Sequence, residues 1–167
     1  KNYGELLECL IQDWRKQWDS NLSFYYVQLA NFTRRGKNHP DWVHVQDEMR
    51  RLIDDSNSKT GHVGMATIND IGHPTDIHPK NKKDVGKRLA RWALNQDYGK
   101  KDVIVSGPLY KSHTINNGAI EITFNHAKGL KTRDGKSPGS FEIAGADGQW
   151  QAAEAKVSGN KIIVSSK

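Results

Sequence analysis

Four side chains able to move or hold a proton fall in one short run, Asn69-Asp70-Ile71-Gly72-His73-Pro74-Thr75-Asp76-Ile77-His78-Pro79. An imidazole takes up and returns a proton near neutral pH, and a carboxylate on its other ring nitrogen orients it and stabilises the imidazolium. His78 is therefore a candidate general base, with Asp76 and Asp70 as candidate acids. Pro79 suits the first position of a helix, where its missing N–H costs nothing. That places His78 at or beside the N-cap, where the helix dipole disfavours positive charge and keeps the ring neutral. A loop histidine ahead of a charged helix is the plainer reading of the same residues. His73 and His78 do not have zinc-pair spacing, and no Cys or Glu completes a ligand set. No metal or other cofactor is expected.

The elements that must position this run alternate. Leu6, Leu7, Leu10, Ile11, Trp14 and Trp18 recur at helical spacing and predict an amphipathic helix over residues 3–18. Residues 24–30, FYYVQLA, form an apolar and aromatic run suited to a strand buried on both faces. Asp41 is placed to cap a helix reaching about residue 56, with Trp42, Val45, Met49, Leu52 and Ile53 inward. Residues 63–68 read as a second buried strand, and Val85, Leu89, Trp92 and Ala93 as the stripe of a third helix. The order α-β-α-β-α suits parallel strands joined by right-handed crossovers. Two parallel strands are too few to bury both faces behind three helices, so further strands are expected from outside this chain. In such sheets ligands bind at the carboxyl ends of the strands. Two loops meet that condition, residues 30–35 and residues 69–78.

After Lys101 the pattern changes. Residues 103–105, 119–124, 141–143, 152–157 and 162–164 read as short strands, separated by Asn116-Asn117-Gly118, Asp134-Gly135, Asp147-Gly148 and Ser158-Gly159-Asn160. The expected organisation is an α/β unit over 1–101 and a small antiparallel, β-sandwich-like module over 102–167.

Four stretches, FYYVQLANF, GMATINDIG, DIHPKNKKDVGKRLARWAL and SGPLY, occur in an order and spacing that resemble the sialate O-acetylesterase family of SGNH-type (GDSL-like) hydrolases over about residues 3–165. The resemblance implies part of a flavodoxin-like three-layer sheet with accessory β structure. It implies a serine esterase that removes acetyl groups from sugars such as sialic acid. His78 matches the family's histidine. The family's Gly-x-Ser-Asn and Gly-Glu-Ser-Asn blocks lie upstream of the matching segment and do not occur here, so the nucleophile is expected from a missing N-terminal part of the same enzyme. The usual Asp-x-x-His pattern would put the acid at position 75, which is Thr75; Asp76 stands one residue late. Gln28, Asn31 and Arg34 are candidate substrate contacts, with Arg34 and Arg35 suited to a sugar carboxylate. The resemblance also implies secretion or a periplasmic location. The alternative is a glycan-binding module in which the α/β half is only a scaffold.

Composition limits the other readings. The net charge is +6, but the basic residues are spread along the chain without a block of five or six, so no nucleic-acid partner is expected. No apolar run approaches the roughly 20 residues of a membrane span. Lys80, Lys82, Lys83, Lys87, Arg88 and Arg91 surround one helix and read as a solvated face. The lone Cys9, among apolar neighbours, is expected to be a small buried residue. Trp14, Trp18, Trp42 and Trp92 are expected in the core, and Trp150 is a candidate sugar contact on a β surface. Asn21-Leu22-Ser23 and Asn31-Phe32-Thr33 match glycosylation sequons, a pattern short enough to arise by chance.

Overall fold

The structure, a computed structural model, describes residues 2–18, 21–33, 40–59 and 61–166, leaving out the side chains of residues 40 and 54–59. The chain is mixed α/β and forms two compact units, Lys1–Ser106 and Gly107–Lys167.

The first unit runs α1 (Tyr3–Gln17), β1 (Phe24–Val27), α2 (Pro40–Lys59), β2 (Val63–Ala66), α3 (Lys82–Gln96). The alternating order is as the sequence periodicity predicts. The two strands pair in parallel, from Phe24 opposite Val63 to Val27 opposite Ala66. Every residue of β2 is buried, as a run apolar on both faces requires. α1 turns Leu7 and Ile11 inward, α2 brings Met49, Leu52 and Ile53, and α3 brings Trp92 onto Tyr26, Val63 and Met65. The Trp92 ring packs closely on β2 at Gly64. A Cβ at Gly64 would stand 2.4 Å from it, and the indole Nε1 donates to the Met65 carbonyl at 2.9 Å. A glycine inside a strand often marks such a close approach.

Helix phase overturns three expectations. Trp92 is buried and Trp42 half-buried, but Trp14 and Trp18 are 40% and 69% exposed. The inward face of α1 is Leu7, Ile11 and Arg15. The row Tyr3, Leu6, Leu10, Trp14 and Trp18 falls to one side of it, with Trp14 edge-on to both Trp18 and Phe24. Cys9 is exposed, because two residues from Ile11 is more than half a turn away. α2 begins at Pro40, so Asp41 lies in the first turn rather than at the cap.

At the amino end of the strands, hydroxyls tie β1 to the end of α3. Ser23 Oγ and Tyr25 OH donate to the two oxygens of Asp97, at 2.5 and 2.7 Å, and His62 Nδ1 stands 3.4 Å away. Arg15 closes the same end by donating to the Leu22 and His62 carbonyls. Burial and the hydrogen bond to Asp97 push the Tyr25 phenol up to about 12. Burial opposes the charge on Asp97, but the Ser23 and Tyr25 hydrogen bonds outweigh it and hold the carboxyl below its ordinary range.

The second unit is one five-stranded antiparallel sheet: β3 (Leu109–Asn116), β4 (Ala119–Asn125), β5 (Phe141–Ala144), β6 (Trp150–Ser158) and β7 (Lys161–Ser165), in the order β3-β4-β7-β6-β5. Asn117 and Gly118 both have positive φ, 49° and 74°, the two-residue hairpin that an Asn-Gly pair favours. Alternation puts Ile120, Ile122, Ile162, Val164 and Ala155 on one face, where Val164 and Ala155 are buried. The expected sandwich is thus a single sheet in the described residues. The expected strand at 103–105 is irregular chain: the Val103 carbonyl accepts from Asn95 Nδ2 at 3.0 Å, and Val105 packs on the first unit's core. The first strand of the sheet is instead the polar stretch of β3, whose side chains beyond Leu109 are all exposed. Among the described residues no helix is long and apolar enough to cross a membrane.

Candidate active site at the carboxyl ends of the parallel strands

Parallel pairing sends the loops after β1 and β2 out of the same edge of the sheet. The structure stitches them together. Thr33 donates to the Pro74 carbonyl through its backbone N–H at 2.7 Å and its hydroxyl at 2.8 Å. Gly72 packs on Asn31 so closely that a Cβ would stand 2.9 Å from that residue's backbone N and O. Asn31, a predicted substrate contact, is therefore fixed by its backbone, with its side chain exposed.

Beneath the loops lies a polar layer. Gln46, buried in the apolar stripe of α2, donates through Nε2 to the Leu29 carbonyl at 2.8 Å and to Asn69 Oδ1 at 3.0 Å. Its own carbonyl accepts from Gln28 Nε2 at 2.9 Å. Gln28 is 6% exposed, so its predicted role as a substrate contact meets a side chain that braces the loop from below. Its Oε1 is buried with no hydrogen-bond partner among the described residues. Trp42 Nε1 donates to the Ala30 carbonyl at 2.7 Å, and its ring leans on Phe32. Buried backbone carbonyls at a strand end require such donors. Polar Gln46 on an otherwise apolar stripe was the sequence signal for this layer.

The loop after β2 is shaped by its own side chains. Arg88 reaches back from α3 to the Thr67 carbonyl and forms a two-pronged pair with Asp70, Nη1 to Oδ1 at 2.6 Å and Nη2 to Oδ2 at 2.8 Å. Both Asp70 oxygens are engaged, and Asp70 in turn reinforces the Arg88 charge. The solvated face expected of α3 is formed by Lys82, Lys83, Lys87 and Arg91, which are exposed, while Arg88 belongs to this clamp. His73 Nδ1 accepts from the backbone N–H of Asp76 at 3.0 Å and of Thr75 at 3.3 Å, which assigns the ring proton to Nε2. Asp76 Oδ1 accepts the His78 N–H at 2.9 Å, an Asx turn. The same oxygen lies 3.9 Å from His78 Nδ1. Of the candidate acids, Asp76 is the one seen beside His78. The His78 side chain is 88% exposed, while the next residue, Pro79, is buried and anchors the loop.

The helix-mouth position expected for His78 needs correction. α3 starts at Lys82 and its cap is Asn81, whose side chain accepts from the Asp84 N–H at 3.2 Å and donates to the Asp84 carboxylate at 2.7 Å. Asn is a strong cap and Pro is not, so the boundary falls after the Pro79 turn rather than before it. His78 stands outside the first turn, beyond the short reach of the dipole. Arg34 and Arg35 lie outside the described residues. Among the described residues no three His, Cys, Asp or Glu side chains cluster as metal ligands would.

The chain is similar to two proteins named as esterases. No family model matches the chain. A sialate O-acetylesterase of Mus musculus is 28% identical over 152 residues, covering 81% of this chain and 27% of its own length. The crystal structure of a carbohydrate acetylesterase from Xanthomonas citri superposes with a TM-score of 0.89 at 35% identity, covering 99% of this chain and 38% of that one. The chain thus spans well under half of either relative.

Proposed function

From its place as a partial segment akin to the sialate O-acetylesterase-like family, we propose that this chain supplies the histidine-bearing part of a serine-dependent carbohydrate O-acetylesterase. The nucleophilic serine comes from residues of the longer protein outside these 167, and β1 and β2 are two strands of a larger flavodoxin-like sheet. The first unit is then part of the esterase domain and the second an accessory β module.

The serine hydroxyl attacks the acetyl carbonyl as His78 takes its proton. His78 then protonates the departing sugar oxygen, leaving an acetyl-enzyme. Water, deprotonated by the same ring, releases acetate and restores the serine. Asp76 holds Nδ1–H; its oxygen has to move in by only about 1 Å to reach ordinary hydrogen-bond length, a tightening that substrate commonly brings. Asn31 and, three residues further along the sequence, Arg34 are the proposed contacts to an O-acetylated, sialic-acid-like sugar.

One observation carries the reading. A single carboxylate oxygen of Asp76 fixes the His78 backbone and faces its ring nitrogen, on an exposed loop at the edge where parallel sheets bind ligands. The test uses the longer protein and an O-acetylated sugar or aryl acetate. The 167-residue chain alone gives negligible turnover and the longer protein hydrolyses the ester. In the longer protein His78→Ala lowers kcat by about 10²–10⁴, the span of a positioned general base. Turnover by His78→Ala within twofold of the parent removes His78 from the mechanism.

A further inference from the structure

The β5–β6 hairpin carries a tryptophan that its own fold does not use. Pleating puts Gln151, Ala153, Ala155 and Val157 on the inner face of β6, where Ala155 is buried. Trp150, Ala152, Glu154 and Lys156 take the outer face. Trp150 is 71% exposed, the most of any tryptophan described. It borders a pocket of about 410 Å³ formed by Gly145, Ala146, Asp147, Gln149, Trp150 and Gln151, at the small end of ligand-site volumes.

The turn that leads into β6 is held in shape by its own hydrogen bonds. The Gly148 N–H donates to the Gly145 carbonyl at 3.1 Å. Asp147 Oδ1 accepts the Gln149 N–H at 3.1 Å. Gly148 sits at φ +69°, a conformation that favours glycine. On the outer face the nearest neighbours of Trp150 along and across the strands are Ala152 and Ala144, which are too small to cover the ring.

We infer that Trp150 and the hairpin rim of Asp147 and Gln149 form a binding subsite for an uncharged sugar residue of a glycan chain. A sugar ring has an apolar C–H face and a rim of hydroxyls. The first matches a flat exposed indole. The second matches amide and carboxylate groups that donate and accept in the plane around it. Asp147 is the charged group of the pocket lining, so an anionic sugar is disfavoured there and a neutral one is not. The subsite belongs to the second unit and His78 to the first, and the subsite retains chain rather than reacting with it.

The inference shares with the proposed function only the premise of a glycan ligand. It is therefore tested by binding, with no hydrolysis measured. The 167-residue protein is run by affinity electrophoresis, and titrated calorimetrically, against soluble acetylated xylan, glucomannan and dextran, with polysialic acid as the anionic control. Retardation by at least one neutral polymer and not by polysialic acid is expected. Trp150→Ala raises that Kd about tenfold, a 1.4 kcal/mol step, and Gln149→Ala raises it less. Trp18→Ala, also an exposed tryptophan, leaves it unchanged. Circular dichroism establishes that the variants stay folded. No retardation by any neutral polymer, equal retardation of Trp150→Ala and the parent, or a preference for polysialic acid overturns the subsite. Absence of esterase activity in the longer protein would count against the proposed function and leave this result standing.

Discussion

Replacing Gly64 by alanine tests how the first unit is held together. Gly64 is not in the left-handed region, so alanine suits its backbone and by itself would stabilise slightly by restricting the unfolded chain, by about 0.4–1 kcal/mol. Against this stands one contact: the added methyl carbon would lie 2.4–2.7 Å from three atoms of the Trp92 indole. The ring cannot slide freely, because it is 4% exposed and donates to the Met65 carbonyl. Overpacking of this kind costs about 1–3 kcal/mol, and losing the indole hydrogen bond adds about 1. The net expectation is a loss of about 2–3 kcal/mol, and a fall in Tm of at least about 10 °C for a unit of this size. Urea unfolding followed by tryptophan fluorescence measures it. In a Trp92→Leu background, where the ring is gone, the same Gly64→Ala change should cost less than about 0.5 kcal/mol, because the two residues couple through contact. Stability of Gly64→Ala within about 0.5 kcal/mol of the parent, or an equal cost in both backgrounds, refutes the packing argument.

Further outcomes follow from the two ends of the sheet. Burial and the Asp97 hydrogen bond raise the Tyr25 phenol from 10.0 to about 12 in the fold, so its contribution to stability is complete below pH 10 and is lost as pH rises towards 12; urea midpoints over that window should fall more steeply for the parent than for Tyr25→Phe, and parallel curves would disprove the raised phenol. Asn81→Ala should lower stability by about 1 kcal/mol through loss of the α3 cap, whereas Pro79→Ala should act on the loop and leave α3 helicity by circular dichroism unchanged. In the active longer protein, Asp76→Asn should lower kcat with little change in KM, as loss of a positioning carboxylate does; a change confined to KM would assign Asp76 to substrate binding instead.

What the sequence determined by itself was the order of elements and the chemistry within reach. Apolar periodicity set α1, α2 and α3 and the two buried strands, because helix and strand present their faces at fixed spacing. Asn117-Gly118 marked its hairpin because few other residue pairs accept positive φ twice. Asp76 and His78 are two residues apart, so their nearness is local and legible. Tertiary structure decided what depends on phase and on partners far along the chain. Leu10 and Ile11 are neighbours in sequence, yet one is exposed and the other buried, because only packing selects which arc of α1 turns inward. Asp70 and Asp76 looked interchangeable as acids; Arg88, in the second turn of α3, takes both oxygens of Asp70 and leaves Asp76 beside His78. Gln28 looked like a ligand contact until Gln46 drew it beneath the loops. β3 was hidden because an exposed edge strand is specified by its partner's backbone, not by apolar alternation of its own. Local spacing fixes which groups can meet, and long-range packing fixes which of them are already occupied.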